Sequence, residues 1–157
     1  MIVLFRIDDR LIHGQVILGW GSALKPDRIV LADDEVASND WEKNLYASSV
    51  PPEIKVSILS LTEAAAQIKR GIFDTEKVIL LVRHPRCVVA LMDLGVSVGE
   101  VNVGGMHYRD GREKVLDNVY VDADERAIMR DLVKRGVTLD GRALPGSRAA
   151  TLNSRVV

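Results

Sequence analysis

A lone histidine, His13, sits between two segments of different pattern, within residues 6–16. The apolar run at 2–5 before it is typical of a buried strand, and 16–24 after it is typical of the start of a helix. A histidine in a strand-to-helix loop is held on rigid elements while its ring stays accessible. An imidazole in this position can act as a reactive group.

The neighbours of His13 narrow that chemistry. Arg10 precedes it by three residues, and Gly14 and Gln15 follow it directly. A neutral imidazole is a nucleophile, an arginine fork fits phosphate oxygens, and backbone N–H groups at a helix start attract anions. Together they predict a phosphoryl-accepting histidine. An ordinary strand-to-helix turn with an incidental histidine would have the same outline, and the residues alone leave both readings open.

The whole stretch resembles the phosphorylation-site loop of one protein family. Residues 6–16 fit the pattern Arg-x-Asp-Asp-Arg-Leu-Ile-His-Gly-Gln-Val of the enzyme IIB proteins of the bacterial phosphotransferase system, mannose/fructose/sorbose family. The similarity continues in order through Trp20, 34–36, 102–106 and Pro145. It thus extends over nearly the whole chain, which makes it far more specific than a short motif.

The resemblance implies a phosphocarrier enzyme. His13 would take phosphate, on Nδ1, from a phosphohistidine of an enzyme IIA domain and pass it to a sugar held by the membrane permease subunits IIC and IID. No metal or organic cofactor is implied. Sugar specificity is expected mainly in the permease subunits, so this chain does not identify the sugar.

Arg10 is expected to hold the phosphoryl oxygens, with a salt bridge to a nearby aspartate as its plain alternative. A carboxylate beside a phosphate is repulsive, so neither Asp8 nor Asp9 is expected to touch the transferred group. One of them would orient His13 or Arg10, or tie down the loop through backbone N–H groups. We assign the structural role to Asp8 and a site role to Asp9.

Other candidates have weaker signals. Gly14 and Gln15 are expected to bind phosphate through their N–H groups, although glycine also suits a plain turn. Leu11, Ile12 and Val16 are expected to offer apolar contact to partners at the rim. Asp33 departs from the asparagine usual in the family and would add negative charge near the site. The possible site rim comprises Arg6, Asp34, Gly104, Gly105 and His107.

Bulk properties set limits on the function. The chain has 157 residues, suited to one domain, and a net charge of −1 with scattered basic residues, so a nucleic-acid partner is not expected. The chain has a single cysteine, Cys87, so an internal disulfide is excluded. Its apolar neighbours predict that Cys87 packs as a small buried hydrophobic residue. No apolar run approaches the roughly 20 residues that span a bilayer. A cytoplasmic protein that does not itself cross the membrane is expected.

Strand and helix patterns alternate along the chain. Strands are predicted at 2–6, 28–32, 54–60, 77–82, 98–103, 118–122 and 137–143, and helices at 14–24, 40–49, 61–70, 85–94 and 123–135. Such alternation predicts a three-layer α/β fold, with helices on both faces of a mostly parallel sheet. By resemblance the sheet has about seven strands, with strand one between strands four and five. Residues 146–157 are predicted to be a loosely held tail.

Three other functions compete with the phosphocarrier. A metal site could use His13, His84, His107 and a carboxylate, although no pair has the close spacing of a helix-borne zinc motif. A regulatory or binding protein derived from the same family would keep Arg10 and His13 yet fail to pass phosphate to sugar. A dinucleotide-binding domain is disfavoured, because no Gly-x-Gly-x-x-Gly follows the first strand.

Overall fold

A six-stranded parallel sheet forms the middle layer of the protein. The computed structural model describes the whole chain, Met1–Val157. The sheet strands, in chain order, are β1 (Ile2–Asp8), β2 (Arg28–Ala32), β3 (Lys55–Leu59), β4 (Val78–Val82), β5 (Glu100–Gly105) and, after a separate ribbon, β8 (Thr138–Asp140). Their spatial order is β3-β2-β4-β1-β5-β8. The first strand lies between the fourth and fifth, as expected.

The expected seventh strand does not join this sheet. Residues 119–121 form β7 (Val119–Val121), which pairs antiparallel with β6 (Glu113–Leu116) in a two-stranded ribbon. Along Glu100–Asn102 the free edge of β5 is already taken by β8. Only the extension of β5 remains, where Met106 bridges to Val119. The sheet therefore has six strands, and the prediction of about seven was wrong in number.

Helices cover both faces of the sheet. The first, α1, begins with a π-helical part, Gln15–Trp20, and ends as Gly21–Leu24. The others are α2 (Asp34–Ala37), α3 (Asp40–Ser48), α4 (Leu61–Lys69), α5 (Pro85–Asp93), α6 (Ala123–Lys134) and α7 (Asn153–Val156). The five predicted helices are confirmed within a few residues; the short α2 and α7 had no sequence pattern long enough to predict them. None of the seven is long and apolar enough to cross a bilayer.

The core consists of two apolar clusters, one on each side of the sheet. The larger packs under α4, α5, α6 and α7, and the smaller packs under α1 and α2. Adjacent residues of β4 point to opposite faces, so Leu80 belongs to the first cluster and Leu81 to the second. All of β4 is buried, as its unbroken apolar sequence predicts.

The end of the chain is packed rather than loose. Leu152 and Val156 are fully buried in the larger cluster. The Leu152 N–H donates to the Leu139 carbonyl at 2.8 Å, and the Asn153 side chain accepts the Leu139 N–H at 2.8 Å. The prediction of a loosely held tail therefore fails for this part, because two apolar side chains spaced four residues apart dock α7 onto the core.

Candidate functional site

His13 lies in the tight loop that joins β1 to α1. The Leu11 N–H donates to the Asp8 carbonyl at 3.0 Å, and Leu11 has a φ of 59°. This left-handed conformation costs a non-glycine residue about 1–2 kcal/mol. The Leu11 side chain is fully buried in the smaller cluster, which offsets that cost. The turn carries His13 back over the end of β1.

The imidazole of His13 is hydrogen-bonded to Asp8. Nε2 lies 2.7 Å from Asp8 Oδ2, and Nδ1 accepts the Gln15 N–H at 3.3 Å. Because a carboxylate accepts and a backbone N–H donates, the proton belongs on Nε2 and the lone pair on Nδ1. The His13 side chain is 16% exposed, whereas the Asp8 side chain has no exposed surface.

Beneath Asp8 lies a second buried charge, Arg6. Its Nε and Nη2 donate to Asp8 Oδ2 at 3.2 and 3.0 Å, and its Nη1 donates to Asn102 Oδ1 at 2.6 Å. The indole of Trp20 packs against the guanidinium, with 5.8 Å between the Arg6 Cζ and the ring centroid. Arg6 is fully buried and does not reach the surface from the strand.

Two glycines make room for this pair. A Cβ on Gly104 would lie 1.7 Å from the Arg6 Cζ, and a Cβ on Gly105 would lie 2.9 Å from Asp8 Oδ1. Both belong to β5, so they are not turn residues. They act on the site through Arg6 and Asp8.

The pKa of Asp8 reflects these competing surroundings. Burial favours the neutral acid, but the hydrogen bond from His13 and the charge of Arg6 outweigh it and hold the pKa below its usual range. For Arg6, burial is the larger influence and lowers the guanidinium pKa, while the Asp8 charge opposes it. The pair is therefore an ionised couple inside the protein.

Arg10 lies beside the Arg6–Asp8 pair, and its guanidinium group makes only a long contact with Asp8. Its backbone N–H donates to Asp8 Oδ1 at 3.0 Å, and its Nη2 donates to Gln15 Oε1 at 3.2 Å. The guanidinium is 3.9 Å from Asp8, and the side chain is 46% exposed. Most of its donors thus remain available beside His13.

Asp9 points away from His13 and binds a different histidine. Its Oδ2 accepts the His107 N–H at 2.8 Å, and its Oδ1 lies 2.5 Å from His107 Nδ1. Arg112 approaches Asp9 at 3.5 Å and donates to the His107 carbonyl. The expectation that Asp9 is the site carboxylate was wrong in this respect, since the carboxylate on His13 is Asp8.

A buried ion pair anchors the Asp9 contact. Arg112 donates from Nε and Nη2 to both Glu125 oxygens, at 2.9 and 2.6 Å, and His84 Nε2 lies 3.1 Å from the same carboxylate. Burial opposes ionisation of Glu125, yet Arg112 holds the Glu125 pKa below its usual range. Burial lowers the pKa of His84, with the Glu125 charge opposing. The β1, β4 and β5 loops are thereby joined through α6.

Several predicted rim residues have other roles. Asp33 caps α2, and its charge is paired with Arg83 at 2.9 Å. Asp34 accepts the Leu61 N–H at 2.8 Å instead of lining the site. Asp33 thus adds no free charge near His13.

The predicted apolar rim is also absent. Leu11, Ile12 and Val16 all belong to the smaller core cluster, with at most 5% of their surface exposed. The turn at Leu11 and the start of α1 direct these side chains inward. They position His13 from below rather than meet a partner.

The sequence analysis placed Arg6 at the possible rim of the site, but it gave no role to the other polar residues that support the site from a distance. Arg6 and Asn102 carry one recognisable signal, because each lies between two apolar residues of a buried strand. Arg112 and Glu125 carry none, since 12 intervening residues separate them and neither has a motif. The three histidines pair with separate carboxylates, and no group of three His, Cys, Asp or Glu side chains is arranged to hold a metal ion.

Comparisons with known proteins agree with this architecture. The model of the PTS system sorbose subfamily IIB component matches residues 2–156. The sorbose-specific EIIB component of Lacticaseibacillus casei is 35% identical over 156 residues, which cover 99% of this chain and 95% of that protein. The crystal structure of the IIBSor domain of the Klebsiella pneumoniae sorbose permease superposes with a TM-score of 0.91 at 32% identity, over 99% of this chain and 96% of that one.

A longer relative carries two components in one chain. The mannose-specific EIIAB component of Escherichia coli is 35% identical over 142 residues, which cover 90% of this chain and 44% of that protein. The family model and the two full-length relatives span nearly all of the sequence. The chain therefore belongs to the sorbose-subfamily enzyme IIB components of the phosphotransferase system, sugar phosphotransferases that take a phosphoryl group from enzyme IIA and pass it to the sugar.

Proposed function

We propose that His13 is the residue that carries the phosphoryl group, and that the group is attached to Nδ1. The observation that carries this proposal is the 2.7 Å contact of Nε2 with Asp8. This contact keeps the proton on Nε2, so Nδ1 has the free lone pair and is the nucleophile. The tautomer is thus selected by a buried, ionised carboxylate.

His13 accepts the phosphoryl group in one step and donates it to the sugar in a second. Nδ1 attacks the phosphorus of a phosphohistidine on enzyme IIA, a P–N bond forms, and the donor P–N bond breaks. The His13 ring then carries positive charge, which the Asp8 carboxylate stabilises through the Nε2 proton. In the second step the sugar hydroxyl oxygen attacks phosphorus, Nδ1 leaves with the bonding pair, and the hydroxyl proton is lost to the surroundings.

Arg10 and the loop backbone bind the phosphoryl oxygens. Arg10 has free donors beside His13, and a cation there offsets the charge that gathers on the oxygens in the transition state. The Gln15 N–H now donates to Nδ1 and becomes available to a phosphoryl oxygen once Nδ1 is substituted. Gly14, at the start of α1, presents no side chain to an incoming group.

The partners are a phosphorylated enzyme IIA and the membrane subunits IIC and IID, and the protein works in the cytoplasm. Membership of the family supports this assignment, as does the fused EIIAB arrangement of a relative. Both partners must reach the exposed edge of the His13 ring.

The direct test is phosphorylation by phosphoenolpyruvate, the general phosphotransferase proteins and enzyme IIA. We expect an acid-labile phosphate that mass spectrometry at alkaline pH locates on His13, and no label in His13→Ala. The matched variants His84→Gln and His107→Gln should still be labelled. Phosphate on another residue would contradict the proposal. Labelling without transfer to any sugar, once membranes that contain the IIC and IID subunits are added, would indicate the regulatory alternative.

A further inference from the structure

An open cavity of about 840 Å³ lies beside the His13 loop and does not include His13 among its lining residues. Its walls come from the loops that follow β1, β4 and β5 and from the starts of α5 and α6. These are neighbouring loops at the carboxyl end of a parallel sheet, where α/β proteins bind ligands. The volume falls within the usual range of small-molecule sites, roughly 300–1,000 Å³.

The walls are almost entirely charged. Of the 12 lining residues only one, Cys87, is hydrophobic. An apolar side chain of a partner would have little to pack against, and placing it there would cost the desolvation of surrounding charges. A polar, charged occupant fits these walls better.

The charges that remain unpaired are mainly positive. Among the lining carboxylates, Asp9 and Glu125 have cationic partners, and Asp122 accepts the Glu125 N–H as the cap of α6. Arg86 and Arg109 form no salt bridge with any carboxylate, and Asp110 is the one lining acid with neither an ion pair nor a hydrogen bond. Two guanidinium groups without an ion pair therefore share the cavity with one fully free carboxylate, Asp110, and one capping carboxylate without a cationic partner, Asp122.

Arg10 adds a third cation at the side of the cavity nearest His13. Its guanidinium has only the 3.9 Å contact with Asp8 and the neutral Gln15 as partners. Arginines from two loops and from the start of α5 thus surround one volume. Planar guanidinium forks match phosphate oxygens better than they match a single carboxylate or chloride.

The floor of the cavity is already rigid. Arg112 and Glu125 are each 3% exposed, and Arg112 also holds the His107 carbonyl. His107 is fixed on Nδ1 by Asp9, so Nε2 is its remaining nitrogen for contact with an occupant. Groups held in this way lose little entropy when a ligand binds.

We propose that this cavity binds a small phosphate dianion, free or as a monoester, through Arg86 and Arg109 with Arg10 and His107 at its inner side. The site is separate from the Nδ1 acceptor and does not require that His13 be phosphorylated. Two sources supply this chemistry: inorganic phosphate and the phosphorylated sugar that the enzyme's reaction releases. A bound product near Arg10 would compete with the phosphoryl group for that cation, so product would slow further transfer.

The test is an NMR titration of the unphosphorylated full chain with inorganic phosphate and, separately, with glucose 6-phosphate. We expect saturable shifts of the cavity amides and of the His107 ring, with a dissociation constant of about 1 mM or below. Arg86→Gln and Arg109→Gln should each weaken binding roughly three- to tenfold. Arg70→Gln removes an exposed arginine outside the cavity and should leave binding unchanged.

Comparing the two ligands shows whether the cavity binds inorganic phosphate or the phosphorylated sugar. The His13→Ala variant separates anion binding in the cavity from phosphorylation of His13. Equal affinities indicate a phosphate site, and clearly tighter glucose 6-phosphate binding indicates a site that also holds the sugar. His13→Ala should bind both anions although it cannot be phosphorylated. The proposal is wrong if neither anion gives saturable shifts, if Arg70→Gln weakens binding as much as Arg86→Gln, or if binding is lost in His13→Ala.

Discussion

Two consecutive aspartates each bind a histidine, but in opposite surroundings. Asp8 is fully buried, with Arg6 below it and His13 above it. Asp9 is 20% exposed and holds His107, whose side chain is 48% exposed. Successive side chains of a strand point to opposite faces, so Asp8 joins Arg6, two residues earlier, and Asp9 turns to the other side. The buried pair therefore controls the chemistry of a ring, and the exposed pair fastens a loop.

The largest change should come from Asp8→Asn. Oδ2 accepts from Arg6 and His13, and Oδ1 accepts the Arg10 N–H. Either orientation of the amide sets its NH₂ against a donor, and the lost charge leaves Arg6 buried without its counter-ion. We expect a destabilisation of about 3–5 kcal/mol in urea unfolding.

Phosphoryl transfer in Asp8→Asn should fall roughly 100-fold, because the ring loses its fixed tautomer and orientation. Rapid-quench assays on the folded fraction separate this effect from instability. A transfer rate within a factor of about two of the wild type would show that Asp8 does not direct the ring.

Gly104→Ala tests the same pair from the neighbouring strand. The new Cβ would overlap the Arg6 guanidinium and displace it from Asp8. We expect about 3 kcal/mol or more of destabilisation together with slower transfer. Gly99→Ala, with nothing within 4 Å of its Cβ, is the matched control and should change the unfolding free energy by about 0.5 kcal/mol or less.

Arg10→Ala should slow transfer roughly 10- to 100-fold without unfolding the protein, since the side chain is 46% exposed. Arg10→Lys should recover only part of the rate, because an ammonium group lacks the planar fork. Transfer kinetics and thermal unfolding measured together check the prediction. A full-rate Arg10→Ala would remove this arginine from the site.

A smaller change is expected for Asp9→Asn. The amide can still accept the His107 N–H, and the tie to Arg112 is a 3.5 Å contact. We expect a two- to fivefold reduction in transfer and less than about 1 kcal/mol of destabilisation, measured as for Asp8→Asn. A larger loss than in Asp8→Asn would reverse the ranking of the two aspartates.

Acid should abolish the stability difference between wild type and Asp8→Asn. The folded pKa of Asp8 lies below its unfolded value, so its stabilisation is present above that value and is lost as the pH falls through the folded pKa. The gap in unfolding free energy should persist from about pH 7 to about pH 5 and narrow below about pH 4. A gap that narrows near neutral pH instead would mean that the Asp8 pKa is raised.

Part of this site was predictable from the sequence. The loop, its histidine, Arg10 and the strand order followed from apolar periodicity and from the resemblance of residues 6–16 to the family loop. The roles of Asp8 and Asp9 were exchanged because the first strand was predicted to end at residue 6. The strand continues to Asp8, and alternation along it places Asp8 on the same face as Arg6.

The contacts between residues far apart in the chain could not be predicted from the sequence. His107 meets Asp9 across 98 positions, and Gly104 accommodates Arg6 from a neighbouring strand. Both contacts depend on strand register and on the turn at Leu11, whose positive φ no sequence rule assigns to a leucine. The six-strand count likewise depends on which segment reaches the edge of β5 first.

The most direct measurement is the nitrogen to which phosphate is attached in the phosphorylated protein. Long-range ¹H–¹⁵N NMR of the ¹⁵N-labelled chain distinguishes the two ring nitrogens of His13. Because Asp8 occupies Nε2, we expect phosphate on Nδ1 with Nε2 still protonated. Phosphate on Nε2 would contradict the central role assigned to Asp8.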